Sequence, residues 1–184
     1  MTKEFHVSEI KSREDLARYF AQLGFIRGAE IGVDVGEYSR ILCESNPELH
    51  LNCVDLWERR GGKLEEAKQN LAPYRVKLMQ KSSTEAVKEF DIGSLDFVYI
   101  DAAHDFDNVM RDIIEWGMRV KKGGIISGHD YANNRHCGVE DAVNIYAKHH
   151  GYKVHLLEEP SAIWQPRHPN ENNRTTGISW WIKT

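Results

Sequence analysis

Cysteine is scarce in this sequence, and its spacing excludes a disulfide framework. Cys43, Cys53 and Cys137 are odd in number and widely spaced, with no CxxC pair, so neither a set of disulfides nor a zinc knuckle is expected. Long apolar runs are also lacking. None approaches the roughly 18 residues of a membrane span, and the start of the chain has no apolar stretch like that of a signal peptide. We therefore expect a cytoplasmic protein with reduced thiols and no membrane partner.

An excess of positive charge is lacking as well. The 184 residues include 28 acidic and 24 basic side chains, a formal charge of −4, which gives no general attraction to nucleic acid. With 41% apolar residues, the chain suits one globular domain. We expect a single domain over residues 1–184, in which a helical N-terminal extension, 1–25, precedes the core at 26–184.

Short apolar runs alternate with amphipathic stretches along most of the chain. An opening helix is predicted from Ser12 to Leu23, with Ser12 as its N-cap. The strands predicted after it are Ala29–Val33, Leu49–Val54, Val76–Met79, Leu95–Ile100, Gly124–Ser127, Tyr152–Leu157 and Ile178–Ile182, and the helices between them are Tyr38–Ser45, Lys63–Leu71, Thr84–Phe90, Phe106–Val120 and Glu140–His149. This alternation requires right-handed crossovers, so the predicted fold class is α/β, a doubly wound and mostly parallel sheet covered on both faces.

Two glycines follow the first predicted strand, in the turn from Gly32 to Gly36 that we call the glycine turn. They let the backbone turn tightly and come close to a ligand, although packing alone also explains such a pair. The second strand ends at Asp55, 23 residues after Gly32. An acid at that position can accept hydrogen bonds from both hydroxyls of a ribose, so the two features together predict a nucleoside ligand.

The charge of this turn narrows the choice of nucleoside. Glu30, Asp34 and Glu37 would repel a phosphate, and the chain lacks both the GxGxxG spacing and the Walker loop that bind phosphates. Carboxylates tolerate a ligand with an amino group and a cationic centre. The methionine part of S-adenosylmethionine is one example of such a ligand.

Acidic residues also end the fourth and fifth predicted strands. Asp101 follows the fourth strand, Asp130 lies 29 residues later, and His104 is three residues after Asp101. Adjacent strand ends would bring both carboxylates to one divalent cation, with His104 facing the same cavity. Taken singly, Asp101 is equally explained as a helix cap and His104 as a solvated loop residue.

On these motifs the sequence resembles the class I S-adenosylmethionine-dependent methyltransferases. The resemblance implies a Rossmann-like sheet of seven strands, the last of them antiparallel between the fifth and sixth. It places the glycine turn at the methionine part of the cofactor, Asp55 at the ribose, and Leu56 or Trp57 at the adenine face. The cofactor-binding residues that it implies are Glu30, Gly32, Val33, Gly36, Asp55, Leu56, Trp57, Ser82, Ser83 and Asp101.

The stretch from Asp96 to Tyr131 is similar to small metal-dependent O-methyltransferases of the macrocin type, which carry IDxxH and a later acidic pair. This likeness implies Asp101, His129 and Asp130 as the metal site, and His104 as the general base, with Asp101 also catalytic. His129 stands where the pattern has a carboxylate. A nitrogen ligand weakens Mg²⁺ binding and favours softer ions such as Mn²⁺, Fe²⁺ or Zn²⁺.

The expected function is methyl transfer from S-adenosylmethionine to a small hydroxylated acceptor, assisted by Mg²⁺ or Mn²⁺. Little chain remains for an acceptor site, so we expect an acceptor that is small or only partly enclosed, unless a second subunit of a homodimer supplies a further wall. The segments left over are the opening helix, the Tyr131–Gly138 loop and an excursion over Glu158–Thr176. Two alternatives stay open: a catalytically silent S-adenosylmethionine-binding protein and, on the same fold class, an NAD(P)-dependent oxidoreductase.

Overall fold

The computed structural model describes residues 7–58, 63–134, 137–157 and 178–184. The strands are β1 Arg27–Ile31, β2 His50–Asp55, β3 Val76–Gln80, β4 Leu95–Ile100, β5 Val120–Gly128, β6 Asn133–Asn134, β7 Cys137–Gly138, β8 His155–Leu157 and β9 Ser179–Lys183. The helices are α1 Arg13–Gln22, α2 Glu37–Ser45, α3 Lys63–Leu71, α4 Ser83–Ala86, α5 Phe106–Gly117 and α6 Val139–His150, with 3₁₀ turns at Val7–Glu9 and Val87–Glu89. Within these ranges, no helix is long and apolar enough to cross a membrane.

Seven of the strands form one sheet in the order β3-β2-β1-β4-β5-β9-β8. The strands from β1 to β5 run parallel, whereas β9 is antiparallel to both of its neighbours, β5 and β8. This arrangement confirms the predicted doubly wound, Rossmann-like α/β fold and the place of its last strand. The strand order reverses between β1 and β4, so the carboxyl ends of these strands, here called the carboxyl edge, open a crevice.

Both faces of the sheet are covered, and β4 is buried at every position. Phe97 and Tyr99 point into the apolar cluster under α1, α2 and α3, whereas Val98 and Ile100 point into the cluster under α5 and α6. The alternation follows from the two-residue period of a strand. Helix α1 belongs to the first cluster because the ring of Phe20 stacks on that of Phe97, with 4.3 Å between centroids.

The predicted N-cap of the opening helix is confirmed, since the Ser12 hydroxyl accepts from the backbone N–H of Asp15 at 3.1 Å. Helix α5, however, ends at Gly117 and not at Val120. The residues after Gly117 pair with β4 instead, because the backbone N–H of Leu95 donates to the carbonyl of Arg119. Tertiary pairing therefore overrides the helical pattern over these residues.

Strand β8 and the helix predicted after β3 also differ from the prediction. Strand β8 begins at His155, three residues later than expected, because the N–H of Tyr152 donates to the Ala147 carbonyl and closes α6. The predicted helix Thr84–Phe90 is divided into α4 and the 3₁₀ turn that follows it. The excursion over Glu158–Thr176 lies outside the described residues.

Candidate active site

Gly32 brings the glycine turn against the loop that follows β4. Its φ is +89°, and a Cβ there would lie 2.1 Å from the carbonyl oxygen of Asp101 and 2.8 Å from the Cα of Ala102. The backbone N–H of Asp101 donates in turn to the carbonyl of Ile31 at 2.7 Å. Only glycine permits this approach, which sets the predicted metal ligand Asp101 beside the predicted cofactor turn.

Asp55 holds the glycine turn in shape. Its Oδ2 accepts from the backbone N–H groups of Val33 and Asp34, both at 2.9 Å, and its Oδ1 accepts from that of Trp57 at 2.8 Å. A carboxylate offers about four acceptor positions. The three bonds within the described residues leave one for a ribose hydroxyl, so Asp55 has a structural task beside the predicted one.

Leu56 and Trp57 differ in what they present to a ligand. Leu56 is 44% exposed at the carboxyl edge, whereas Trp57 is 8% exposed. The Trp57 indole N–H donates to the carbonyl of Asp34 at 2.7 Å, and Trp57 has a φ of +51°. Trp57 therefore braces the glycine turn, and Leu56 offers the apolar surface next to Asp55.

Ser82 and Ser83, predicted at the adenine edge, are both engaged within the protein. The Ser83 hydroxyl donates to the buried carboxyl group of Asp112 and accepts from the indole N–H of Trp116 at 2.8 Å. Burial raises the pKa of Asp112 to about 6. The Ser82 hydroxyl donates to the Glu85 carboxylate at 2.7 Å, and the same carboxylate accepts from the Ser82 backbone N–H in a capping box at the start of α4. Sequence reasoning missed Asp112, whose only signal is a carboxylate on an otherwise apolar face of α5.

The negative charge of the glycine turn is smaller than the residue count suggests. Glu30 is 2% exposed and accepts a hydrogen bond from the hydroxyl of Ser39, and burial raises its pKa to about 8, so that it is neutral at pH 7. Asp34 forms an ion pair with Lys63, and Glu37 is exposed. The missing GxGxxG spacing therefore disfavours a dinucleotide more than the charge of the turn does.

Two acids and two histidines converge where β4 and β5 end, and we call this group the acid–histidine cluster. His104 Nε2 lies 3.1 Å from Asp130 Oδ2 and 3.9 Å from Asp101 Oδ1. His129 Nδ1 lies 3.3 Å from Asp130 Oδ1 and 4.0 Å from Asp101 Oδ1. All four residues therefore meet at one point of the carboxyl edge, as the strand ends predict. Asp105, not Asp101, caps α5.

The spacing of the cluster fits a divalent cation. Ligand atoms of Asp101, His104 and Asp130 all lie within 4.8 Å of one another, so this group contains His104 where His129 was predicted. Neighbouring ligands of an octahedral ion, at about 2.1 Å from it, are separated by about 3 Å, and opposite ligands by about 4 Å. The separations of 3.1 to 4.0 Å in the cluster fall in this range.

The acids and histidines of the cluster shift one another's pKa values. Burial lowers the pKa of His129, but the hydrogen bond with Asp130 and the negative charges of Asp101 and Asp130 outweigh burial, and the pKa is raised. Burial raises the pKa of Asp130, but His129 and the charge of His104 outweigh it, and the pKa is lowered. Asp130 also has a φ of +52°, a conformation that costs a non-glycine residue energy and is common at functional sites.

Arg13 also reaches this edge, and sequence reasoning missed it. Its Cζ lies 5.4 Å from the ring centroid of Tyr38, and the Tyr38 hydroxyl donates to its carbonyl at 3.2 Å. The charge of Arg13 acts on Glu30, His129 and Asp130. No sequence motif signals this, because the opening helix reads as an extension separate from the core.

A cavity of about 410 Å³ lies beside the cluster. The N–H of Gly138 in its wall donates to the carbonyl of His104 at 2.8 Å. The volume of the cavity falls in the range of about 300 to 1,000 Å³ that small-molecule sites occupy. The lining residues are Asp105, Phe106, Asn133, Asn134, Cys137, Gly138 and Asp141.

Solved structures with the same fold include several O-methyltransferases. An O-methyltransferase from Bacillus cereus in complex with SAH is 13% identical with a TM-score of 0.69, over 100% of this chain and 84% of that one. The O-methyltransferase TomG from Streptomyces achromogenes, in complex with SAM, is 16% identical with a TM-score of 0.67, over 99% of this chain and 91% of that one. A SAM-dependent O-methyltransferase from Thermotoga maritima is 14% identical with a TM-score of 0.65, over 100% of this chain and 67% of that one.

The sequence itself was compared with curated proteins and with protein families. No curated protein matches the chain. A family model of a methyltransferase domain matches residues 29–131, which is more than half of the chain and includes the glycine turn, Asp55 and the acid–histidine cluster. The chain therefore belongs to this methyltransferase-domain family, and it is a class I S-adenosylmethionine-dependent methyltransferase.

Proposed function

We propose that this enzyme transfers the methyl group of S-adenosylmethionine to a hydroxyl oxygen of a small acceptor. The observation that carries the proposal is the acid–histidine cluster, in which His104 Nε2 lies 3.1 Å from Asp130 Oδ2. Gly32 brings Asp101 of that cluster against the turn proposed to bind the cofactor. The cofactor supplies an electrophilic methyl group on a sulfonium centre.

The chain offers groups for each part of this cofactor. The turn from Gly32 to Gly36, with Val33 and the buried Glu30 beside it, would hold the methionine part. The remaining acceptor position of Asp55 suits a ribose hydroxyl, and exposed Leu56 suits an adenine face. The carboxylate of Asp101 complements the ammonium and sulfonium charges. The serines 82 and 83 would act at the adenine edge from positions that their internal hydrogen bonds fix.

Asp101, His129 and Asp130 are the proposed ligands of a divalent cation. Their donor set of two carboxylates and one imidazole suits Mn²⁺ better than Mg²⁺, which prefers oxygen ligands only. A cation bound there supplies Lewis acidity that lowers the pKa of an acceptor hydroxyl.

His104 is the proposed general base. A neutral imidazole at this place removes the proton of the acceptor hydroxyl as the methyl group is transferred. Asp130 Oδ2, at 3.1 Å from Nε2, stabilises the imidazolium that results. As the methyl group passes from the sulfur of the cofactor to the acceptor oxygen, the proton and the positive charge pass to His104. The protein therefore acts mainly by bringing the acceptor and the cofactor together away from water.

The acceptor is proposed to enter the cavity beside His104. Its volume of about 410 Å³ suits a small molecule. It is lined by amide and carboxyl side chains together with the partly exposed ring of Phe106, so it suits an acceptor with several polar groups. A second copy of the chain would close the open side in a homodimer.

The substitution His104→Ala tests the base. We expect turnover to fall by about 10²- to 10⁴-fold, with the dissociation constant of S-adenosylmethionine unchanged in calorimetry. His149→Ala is the control, because His149 is exposed at the end of α6, away from the cluster.

An equal loss of turnover and cofactor affinity would contradict the role of His104. Cofactor binding by the wild-type protein, without cation binding or transfer to any hydroxylated acceptor, would instead favour the catalytically silent binding protein. Thermal stabilisation by NADH and not by S-adenosylmethionine would favour an oxidoreductase.

A further inference from the structure

Helix α1 contributes a cation to the carboxyl edge at a fixed place. Arg13 is its first residue, and its guanidinium Cζ lies 5.4 Å from the ring centroid of Tyr38. The Tyr38 hydroxyl donates back to the Arg13 carbonyl at 3.2 Å, and the Tyr38 ring packs on Tyr99 of β4 with 4.3 Å between centroids. Tyr38 lies two residues after Gly36, so Arg13 is held in a fixed relation to the glycine turn.

Two acids interact electrostatically with Arg13, and the negative charge of each is already suppressed or shared. Glu30 is fully buried, which raises its pKa to about 8 and leaves it neutral at pH 7. Asp130 lies between His104 and His129. The site therefore combines acids for a cationic ligand with one arginine beside the turn.

The methionine part of S-adenosylmethionine carries two cationic groups and one anionic group. Asp101 complements the ammonium and the sulfonium, but the α-carboxylate requires a positive partner. Arginine binds carboxylates in a bidentate manner and has five N–H donors. It can therefore hold a ligand carboxylate together with a partner inside the protein.

Resting on the function proposed above, we propose that Arg13 binds the α-carboxylate of the methionine part of S-adenosylmethionine. The opening helix is then part of the cofactor site. Tyr38 is the positioning residue, because it touches both the side chain and the carbonyl of Arg13.

Decarboxylated S-adenosylmethionine tests the assignment, because it keeps the adenosine, the sulfonium and the amino group and lacks only the carboxylate. Calorimetry measures the dissociation constants of both ligands for the wild type and for Arg13→Gln, at pH 7 without metal. A charge-assisted pair contributes about 10- to 100-fold in affinity. We expect R13Q to weaken S-adenosylmethionine binding by this factor and to leave binding of the decarboxylated ligand unchanged.

Two further variants sharpen the comparison. Arg13→Lys keeps the charge and loses the bidentate geometry, so we expect an intermediate loss for S-adenosylmethionine and none for the decarboxylated ligand. Arg18→Gln is the matched control, because Arg18 is an exposed arginine of the same helix that pairs with Asp15 at 3.0 Å. Its dissociation constants should equal those of the wild type for both ligands.

An equal effect of R13Q on the two ligands, or no effect on either, would overturn the assignment. If R13Q does not fold, the same comparison is made with R13K, and an equal effect on both ligands there would also overturn it. A wild-type protein that binds neither ligand would overturn the proposed function itself, and this assignment with it.

Discussion

The buried carboxyl group of Glu30 should lower the free energy of unfolding at neutral pH, and this effect can be measured. Replacing Glu30 by Gln puts a neutral amide of the same shape beside the hydroxyl of Ser39, which donates to the carboxyl group in the wild type. Burial raises the pKa of Glu30 from 4.5 to about 8, so at neutral pH the folded wild type holds a proton on this group that the unfolded chain has lost. Gln has no such requirement, and we expect Glu30→Gln to stabilise the folded state.

The size of the effect follows from the linkage of protonation to folding. The folded state keeps its proton up to about pH 8, whereas the unfolded chain loses it near pH 4.5. The stability of the wild type therefore falls as pH rises through this window, by about 1.4 kcal/mol per pH unit. We expect Glu30→Gln to be more stable than the wild type by about 3 kcal/mol at pH 7, and by less than about 1 kcal/mol at pH 5.

Urea unfolding, followed by circular dichroism at four pH values from 5 to 8, measures this difference in the absence of cofactor and metal. Glu37→Gln is the control, because Glu37 is an exposed carboxylate at the end of the same turn, and this variant should follow the wild type at every pH. Parallel stability curves for the wild type and Glu30→Gln would refute the reasoning, because they would mean that Glu30 titrates alike in both states.

Three other substitutions test the site. Gly32→Ala should lower the free energy of unfolding by more than about 2 kcal/mol in urea titrations, because its Cβ would clash with the Asp101 carbonyl; a smaller loss would contradict the close approach. Trp57→Phe should lower the free energy of unfolding by about 1 kcal/mol, since it removes the hydrogen bond from the indole N–H to the Asp34 carbonyl. A stability equal to that of the wild type would count against a stabilising role of this bond. His129→Asp should favour Mg²⁺ over Mn²⁺ by about tenfold in calorimetry, and an equal change for both ions would be evidence against His129 as a ligand.

The sequence by itself determined the fold class and the meeting place of the site acids. Apolar residues repeat every second position in strands and about every 3.6 positions in helices, and these periods are local properties of the chain. The run Leu95–Ile100 is the strand β4 with unchanged bounds. Because the carboxyl ends of parallel strands meet at one edge, residues that follow them, such as Asp101 and Asp130, converge although 29 positions separate them.

Only the tertiary structure decided what each side chain at that edge does. Asp55 accepts from Val33, 22 residues away, and the hydroxyl of Ser83 is engaged by Asp112. Such bonds depend on how elements pack and not on local pattern. The neutral state of Glu30 arises from desolvation, which is set by everything that surrounds the group. The position of Arg13 beside the glycine turn likewise depends on how α1 packs. No short-range sequence pattern indicates which distant helix will cover a site.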